Sequence, residues 1–141
     1  MLVLQHSQGQ QCPQNNLVIT LSASSNNIVT SNNASYNELA GIELFNSNNN
    51  AIKGNRAEYN ELGGLVLSGS SNNTIHHNSF VDNVEVNAID NGTNEWDNGT
   101  FGNYYSDFNC TDSDGDGICD SVYRIFGGES VDRYPLAKPP T

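Results

Sequence analysis

Between Asp112 and Asp120 the chain reads DSDGDGICD, and its acidic side chains fall where a calcium loop needs them. Asp112, Asp114, Asp116, Gly117 and Asp120 match positions 1, 3, 5, 6 and 9 of an EF-type loop, with the Ile118 carbonyl at position 7. Carboxylates packed this closely repel one another unless a cation neutralises them, so the spacing points to calcium as a cofactor. The pattern departs at position 12, where Tyr123 stands in place of a bidentate Glu, and no helical periodicity flanks the segment. It is a mimic of the loop rather than an EF-hand, with an expected dissociation constant of about 10⁻⁴–10⁻³ M. The alternative is an acidic turn shaped by Gly115 and Gly117 alone. Cys110 and Cys119 bracket the loop and read as a disulfide. The three cysteines allow three pairings, reduced thiols are the alternative, and Cys12 is left over. A cystine beside calcium points outside the cytoplasm: extracellular, cell-surface or periplasmic.

Fewer residues elsewhere could do chemistry. His76 and His77 are adjacent imidazoles. On a strand, neighbours point to opposite faces, which places His76 outside and His77 inward and argues against their gripping one metal. His6 lies in an unpatterned stretch. Glu38 and Glu61 could act as a general acid and base or hold a cation, but more often such a pair is a solvated edge. Tyr36 and Tyr59, and Trp96, Tyr104 and Tyr105 further on, could stack on sugar or seal an apolar interior; sealing is the expectation for the second group.

What positions these residues is a repeat. Shifted by 23 residues, the chain lands on itself without a gap. Asn26, Asn49 and Asn72 align, as do Asn27, Asn50 and Asn73, then Asn32, Asn55 and Asn78, then Asn37, Asn60 and Asn83. Between them fall aliphatic columns: Ile19, Ile42 and Leu65; Leu21, Leu44 and Leu67; Val29, Ile52 and Ile75. Such self-similarity marks a solenoid. Helical repeats are excluded by the period and by the lack of i, i+3, i+4 spacing. A leucine-rich repeat anchored on Asn55 or Asn78 would put Ser47 and Asn50, or Ser70 and Asn73, at leucine positions, so that reading fails.

The pattern predicts an all-β fold, a parallel β-helix of about three full coils with an irregular capping tail. Short alternating strands would bury positions 42 and 44, then 52, then 57 in one coil, and 65, 67, 75 and 80 in the next. Coils stacked about 4.8 Å apart would set like residues over like. Asn32, Asn55, Asn78, Asn37, Asn60 and Asn83 are then a structural ladder: asparagine tolerates the left-handed backbone of a tight corner, and its amide can bond the next one up. The expected divisions are 1–16, an irregular segment or degenerate coil; 17–96, the coils; 97–138, the tail; and 139–141, the start of a linker. In the fourth coil Asp90 replaces the aligned leucine, and Glu95 and Trp96 replace the paired asparagines, as a terminal coil requires. Weak patterning before residue 17 suggests the C-terminal piece of a longer β-helix, whose open edge predicts edge-to-edge self-association.

Composition narrows the function classes. Net charge is -11, and twelve of the sixteen acids lie from Asp82 onward, facing only Arg124, Arg133 and Lys138. That sign argues against a nucleic-acid partner. No run approaches the ~20 apolar residues of a membrane span, and "MLVL" lacks the basic start and apolar core of a signal peptide.

The order WDNG…GNYYSDF…DSDGDGICD…VDRYPL resembles the C-terminal segment of NosD-like right-handed parallel β-helix proteins, and the likeness covers roughly residues 17 to 138. The repeats are generic; the tail is the specific part. The cysteine pair departs from the family pattern. The resemblance implies a surface, secreted or periplasmic location. Three functions are compatible with it: a noncatalytic module for adhesion, carbohydrate contact or structural spacing; a fragment of a carbohydrate-active enzyme; or an accessory protein in copper-site maturation. Polysaccharide or other cell-surface components are the expected partners.

Overall fold

The computed structural model describes the backbone of Val3–Leu4 together with residues 17–141; His6 and Cys12 lie outside the described residues. The strands are β1 (Val3–Leu4), β2 (Ile19–Ser22), β3 (Ile28–Thr30), β4 (Ala40–Phe45), β5 (Ala51–Lys53), β6 (Arg56–Glu58) and β7 (Gly63–Ser68). They continue as β8 (Thr74–His76), β9 (Ser79–Val81), β10 (Val86–Asp90), β11 (Tyr104–Tyr105), β12 (Tyr123–Arg124) and β13 (Val131–Asp132). Among the described residues three parallel sheets line the coils: β2-β4-β7-β10, β1-β3-β5-β8 and β6-β9-β11. They form a parallel β-helix of about four turns. Register follows the period, with Ile19 on Ile42, Ile42 on Leu65, and Ile52 on Ile75.

The interior is built from stacked columns. Val29, Ile42, Leu44, Ile52, Leu65 and Ile75 are fully buried, and each such side chain contributes roughly 1.5–3 kcal/mol by leaving water. Along the third sheet the inward residue grows from Ala34 and Ala57 to Phe80 and Tyr105, and Trp96 lies against Phe80 with ring centroids 6.3 Å apart. The narrow coils thus widen into an aromatic plug, and Trp96 and Tyr105 seal the end. Gly64 allows the close approach this needs: a Cβ there would meet the Asn87 carbonyl at 2.7 Å and the Phe80 ring at 2.8 Å.

The corners divide labour differently from the expectation. Among the asparagine columns, only Asn26, Asn49 and Asn72 take the left-handed backbone themselves, at φ 63°, 59° and 58°. Asn32, Asn55 and Asn78 instead follow a left-handed residue, which is Ser31, Gly54 or His77; Asn37, Asn60 and Asn83 follow Tyr36, Tyr59 and Asp82. The corner residue turns the chain, and the asparagine after it points inward and bonds along the axis. The Asn32 N–H donates to Asn55 Oδ1 (3.0 Å), and the Asn55 N–H to Asn78 Oδ1 (2.9 Å). The Asn37, Asn60 and Asn83 column repeats the arrangement, with backbone bonds of 2.9 Å. The Asn37, Asn55, Asn60, Asn78 and Asn83 amides also donate backward to a carbonyl of the preceding coil, as Asn55 Nδ2 does to Val29 (2.9 Å) and Asn78 Nδ2 to Ile52 (2.9 Å). These are buried polar groups with partners, which is the condition for tolerating them inside.

Each ladder continues past the regular coils and ends on a carboxylate. Asn73 donates to Asn94, whose Nδ2 donates to Asp90 (2.9 Å). Asn78 donates to Asn103, whose N–H donates to Asp132 (2.7 Å). Asn83 donates to Asn87, whose Nδ2 donates to Asp107 (3.0 Å). A carboxylate offers acceptors only, so it closes a chain of donors without needing a further partner. Asp90, in register with Leu67, is buried for this reason and also accepts the Trp96 indole N–H (2.8 Å).

Candidate functional site

The tail is strapped onto the last coil by its Val131–Leu136 segment. Asp132 accepts the Asn103 and Tyr134 N–H groups and the Tyr105 hydroxyl. Arg133 forms two side-chain bonds to Asp97 (2.7 and 3.0 Å) and reaches Glu95 at 3.3 Å. The Tyr134 carbonyl accepts from Gly102, and the Pro135 carbonyl from Cys119. Gly102 carries no Cβ because the Asp132 carboxylate occupies that space.

On this strap sits the acidic loop. Carboxylate oxygens of Asp112, Asp114 and Asp116 lie within 4.8 Å of one another. Asp112 orders the turn by accepting N–H groups from Gly115 (2.9 Å), Asp116 (3.1 Å) and Gly117 (3.0 Å), while Asp116 accepts that of Ile118 (2.8 Å). Gly115 and Gly117 take the left-handed backbone, at φ 74° and 91°. Asp120 is not gathered with the three: it accepts the Ser113 hydroxyl (2.5 Å) and N–H (3.2 Å). Ile118 bridges to Leu136, and a disulfide joins Cys110 and Cys119, whose Cα atoms lie 5.3 Å apart. Tyr123 belongs to the plug, stacked on Tyr105 at 3.7 Å with its hydroxyl donated to Asp107 (3.0 Å). Burial first, and then the Asp107 charge, push that hydroxyl well above its ordinary value. What the loop offers is three solvent-facing carboxylates, hard oxygen donors of the kind calcium takes.

The histidines sit one element away, and the structure corrects their placement. His77 does not turn inward. It occupies the left-handed corner at φ 57°, partly exposed, so strand alternation ends at His76. The corner swings the two side chains together, and their Nδ1 atoms lie 2.7 Å apart. Burial, reinforced by His77 and Lys53, holds the His76 imidazole below its ordinary value. Phe101 packs against His77 with centroids 5.2 Å apart, and both line one cleft with Asp112 and Gly117.

Other candidates resolve as structure. Tyr36 and Tyr59 are stacked on each other (5.0 Å, 16°) at the corner, so the faces turned toward each other are closed to a sugar ring. Glu38 and Glu61 are both exposed. The acid that sequence reasoning missed is Glu58, buried beside them and held by Arg56 (2.8 Å) and the Ser79 hydroxyl (2.9 Å). Its only early signal was the neighbouring arginine.

Stacked parallel coils, buried amide ladders and a strapped cap define a β-solenoid. The family model for NosD, periplasmic copper-binding protein, matches residues 10–110, and the chain belongs to that family. No curated protein and no solved structure matches it. No helix is long and apolar enough to cross a membrane among the described residues. The family description makes copper a group to test against the side chains present. Soft ligands are scarce: Met1 and Cys12 lie outside the described residues, and Cys110 and Cys119 are bonded to each other. Among the described residues no free thiolate or thioether is available, whereas imidazole suits copper and His76–His77 supplies two nitrogens at one point.

Proposed function

We propose that this chain is a noncatalytic module of a secreted, surface or periplasmic NosD-family protein, a stiff β-helical rod whose cap is stapled by the cystine and stabilised by calcium. The observation that carries it is the use of the side chains. The inward asparagines bond coil to coil, and Asp90, Asp107, Asp132 and Asp97 are engaged in closing the last turn. Adhesion, carbohydrate contact or spacing are the roles such a rod serves, with polysaccharide or other cell-surface components as partners. Calcium should raise the melting temperature and EDTA lower it, with the Asp112→Asn/Asp114→Asn variant insensitive to both. An unchanged melt for the wild type would remove calcium from the reading. A glycan array tests carbohydrate contact, and release of fragments from a uronate polymer would replace the module with an enzyme.

A second reading, accessory protein in copper-site maturation, is favoured by the family match and the convergent imidazoles. It requires that copper pass from this chain to an apo copper protein; no transfer during co-incubation, followed by metal analysis after separation, would overturn it.

A further inference from the structure

We propose that His76 and His77 form a site for a single cupric ion, binding it through both Nδ1 atoms as adjacent ligands. The choice of metal rests on the copper reading; the site itself rests on geometry. Two donors at right angles on metal–imidazole bonds of ~2.0 Å are ~2.8 Å apart, whereas a tetrahedral angle spreads them to ~3.3 Å. The observed separation of 2.7 Å is a hydrogen bond in which one ring nitrogen donates to the other, so a bound ion takes the place of that proton, and the rings need open least for two adjacent tetragonal positions.

The fold produces that separation at a defined place. On a continued strand the two rings would lie on opposite faces. The left-handed corner at His77 prevents this and turns both to the outside, and the carbonyl of Gly102 fixes the corner by accepting the His77 N–H at 2.7 Å. Phe101 closes one side of His77, and both imidazoles remain partly exposed, leaving the other coordination positions to water or an incoming ligand. Lys53 pairs in register with His76 one coil away, so its ammonium opposes a bound cation. That neighbour gives the site a signature that a folding defect cannot imitate: removing Lys53 tightens binding while removing either imidazole weakens it.

The test is a Cu(II) titration of the full chain carrying His6→Asn, with glycine as competing chelator and millimolar calcium present to occupy the acidic loop. Binding is read by electron paramagnetic resonance. The expected result is one ion per chain with coupling to two nitrogens. Dissociation constants should rise at least tenfold in His76→Gln and in His77→Asn, the latter because asparagine accepts the left-handed corner, and fall severalfold in Lys53→Gln. Circular dichroism establishes that each variant is folded. Oxygen-only ligation, or affinity unchanged in His77→Asn and Lys53→Gln, would overturn the site. If two-nitrogen copper is observed but is not passed to an apo acceptor, the maturation reading fails and the site stands.

Discussion

A single buried asparagine in this protein does the work of two turns of backbone. Asn55 Oδ1 accepts from the Asn32 N–H while its Nδ2 donates to Val29 and Asn78, so truncation strands polar groups on both neighbouring coils. Asn55→Ala is expected to cost about 3 kcal/mol, since each buried group left unpaired costs roughly 1–3 kcal/mol. Asn49→Gly, at an exposed left-handed corner, should stay within about 0.5 kcal/mol of wild type, because glycine meets the same backbone demand. Urea unfolding separates the two; equal losses would mean that corner and ladder are not distinct roles. That distinction was the part the residue pattern hid. Asn32, Asn55 and Asn78 were legible as a stack because the period alone fixes it. Which of two consecutive residues turned the chain was not, since serine, glycine, histidine, tyrosine and aspartate all fill the preceding corners and share no side-chain property. The same blindness hid the convergence of His76 and His77, which alternation assigned to opposite faces.

The cap is a composite of coil residues and the Val131–Leu136 strap, and its pH response lies mainly in Asp132. Burial pushes this carboxyl up to about 6, although the Asn103 and Tyr134 N–H groups and the Tyr105 hydroxyl pull the other way. A raised value means that the folded state holds the proton more firmly than the unfolded chain. The contribution of Asp132 to stability is therefore greatest below the usual carboxylate range and is lost as pH rises toward and through about 6. The displacement corresponds to roughly 3 kcal/mol. The stability of wild type minus that of Asp132→Asn should fall by about 2 kcal/mol of this between pH 4 and 6.5 by urea unfolding; a flat difference would show that the carboxyl is ionised at no cost. Asp97 works in the opposite sense. Its value is depressed despite burial by bonds from Arg133 and Gly99, so its contribution is lost as pH falls. At this scale the sequence showed that a cap exists and that Asp90 breaks the leucine column. It did not show that Asn94, Asn103 and Asn87 carry the ladders onward, because their spacings of 21, 25 and 4 residues leave the period that made the rest visible.

Each coil of the rod touches only its neighbours, so its weak points are its ends. Truncation after residue 98 would remove Asn103, Asp107, Tyr105 and Asp132 together, uncovering Phe80 and leaving two ladders without their acceptors. The shortened chain should self-associate, read as a rise in sedimentation coefficient with concentration, while the full chain is the comparison; a monomeric truncation would mean the tail is not a cap. The coil architecture was the most legible part of the molecule, since aliphatic and amide columns recur at one spacing from Ile19 to Asn83. The direction of the ladders carries a further consequence. In the three inward ladders the amide oxygen faces the earlier coil and accepts its backbone N–H, so the side-chain dipoles add along the axis while the peptide dipoles of the sheets alternate. The amide ladders are therefore polarised along the axis, with their positive pole at the C-terminal end. The acidic half of the chain is gathered at that pole, much as carboxylates gather at the start of an α-helix.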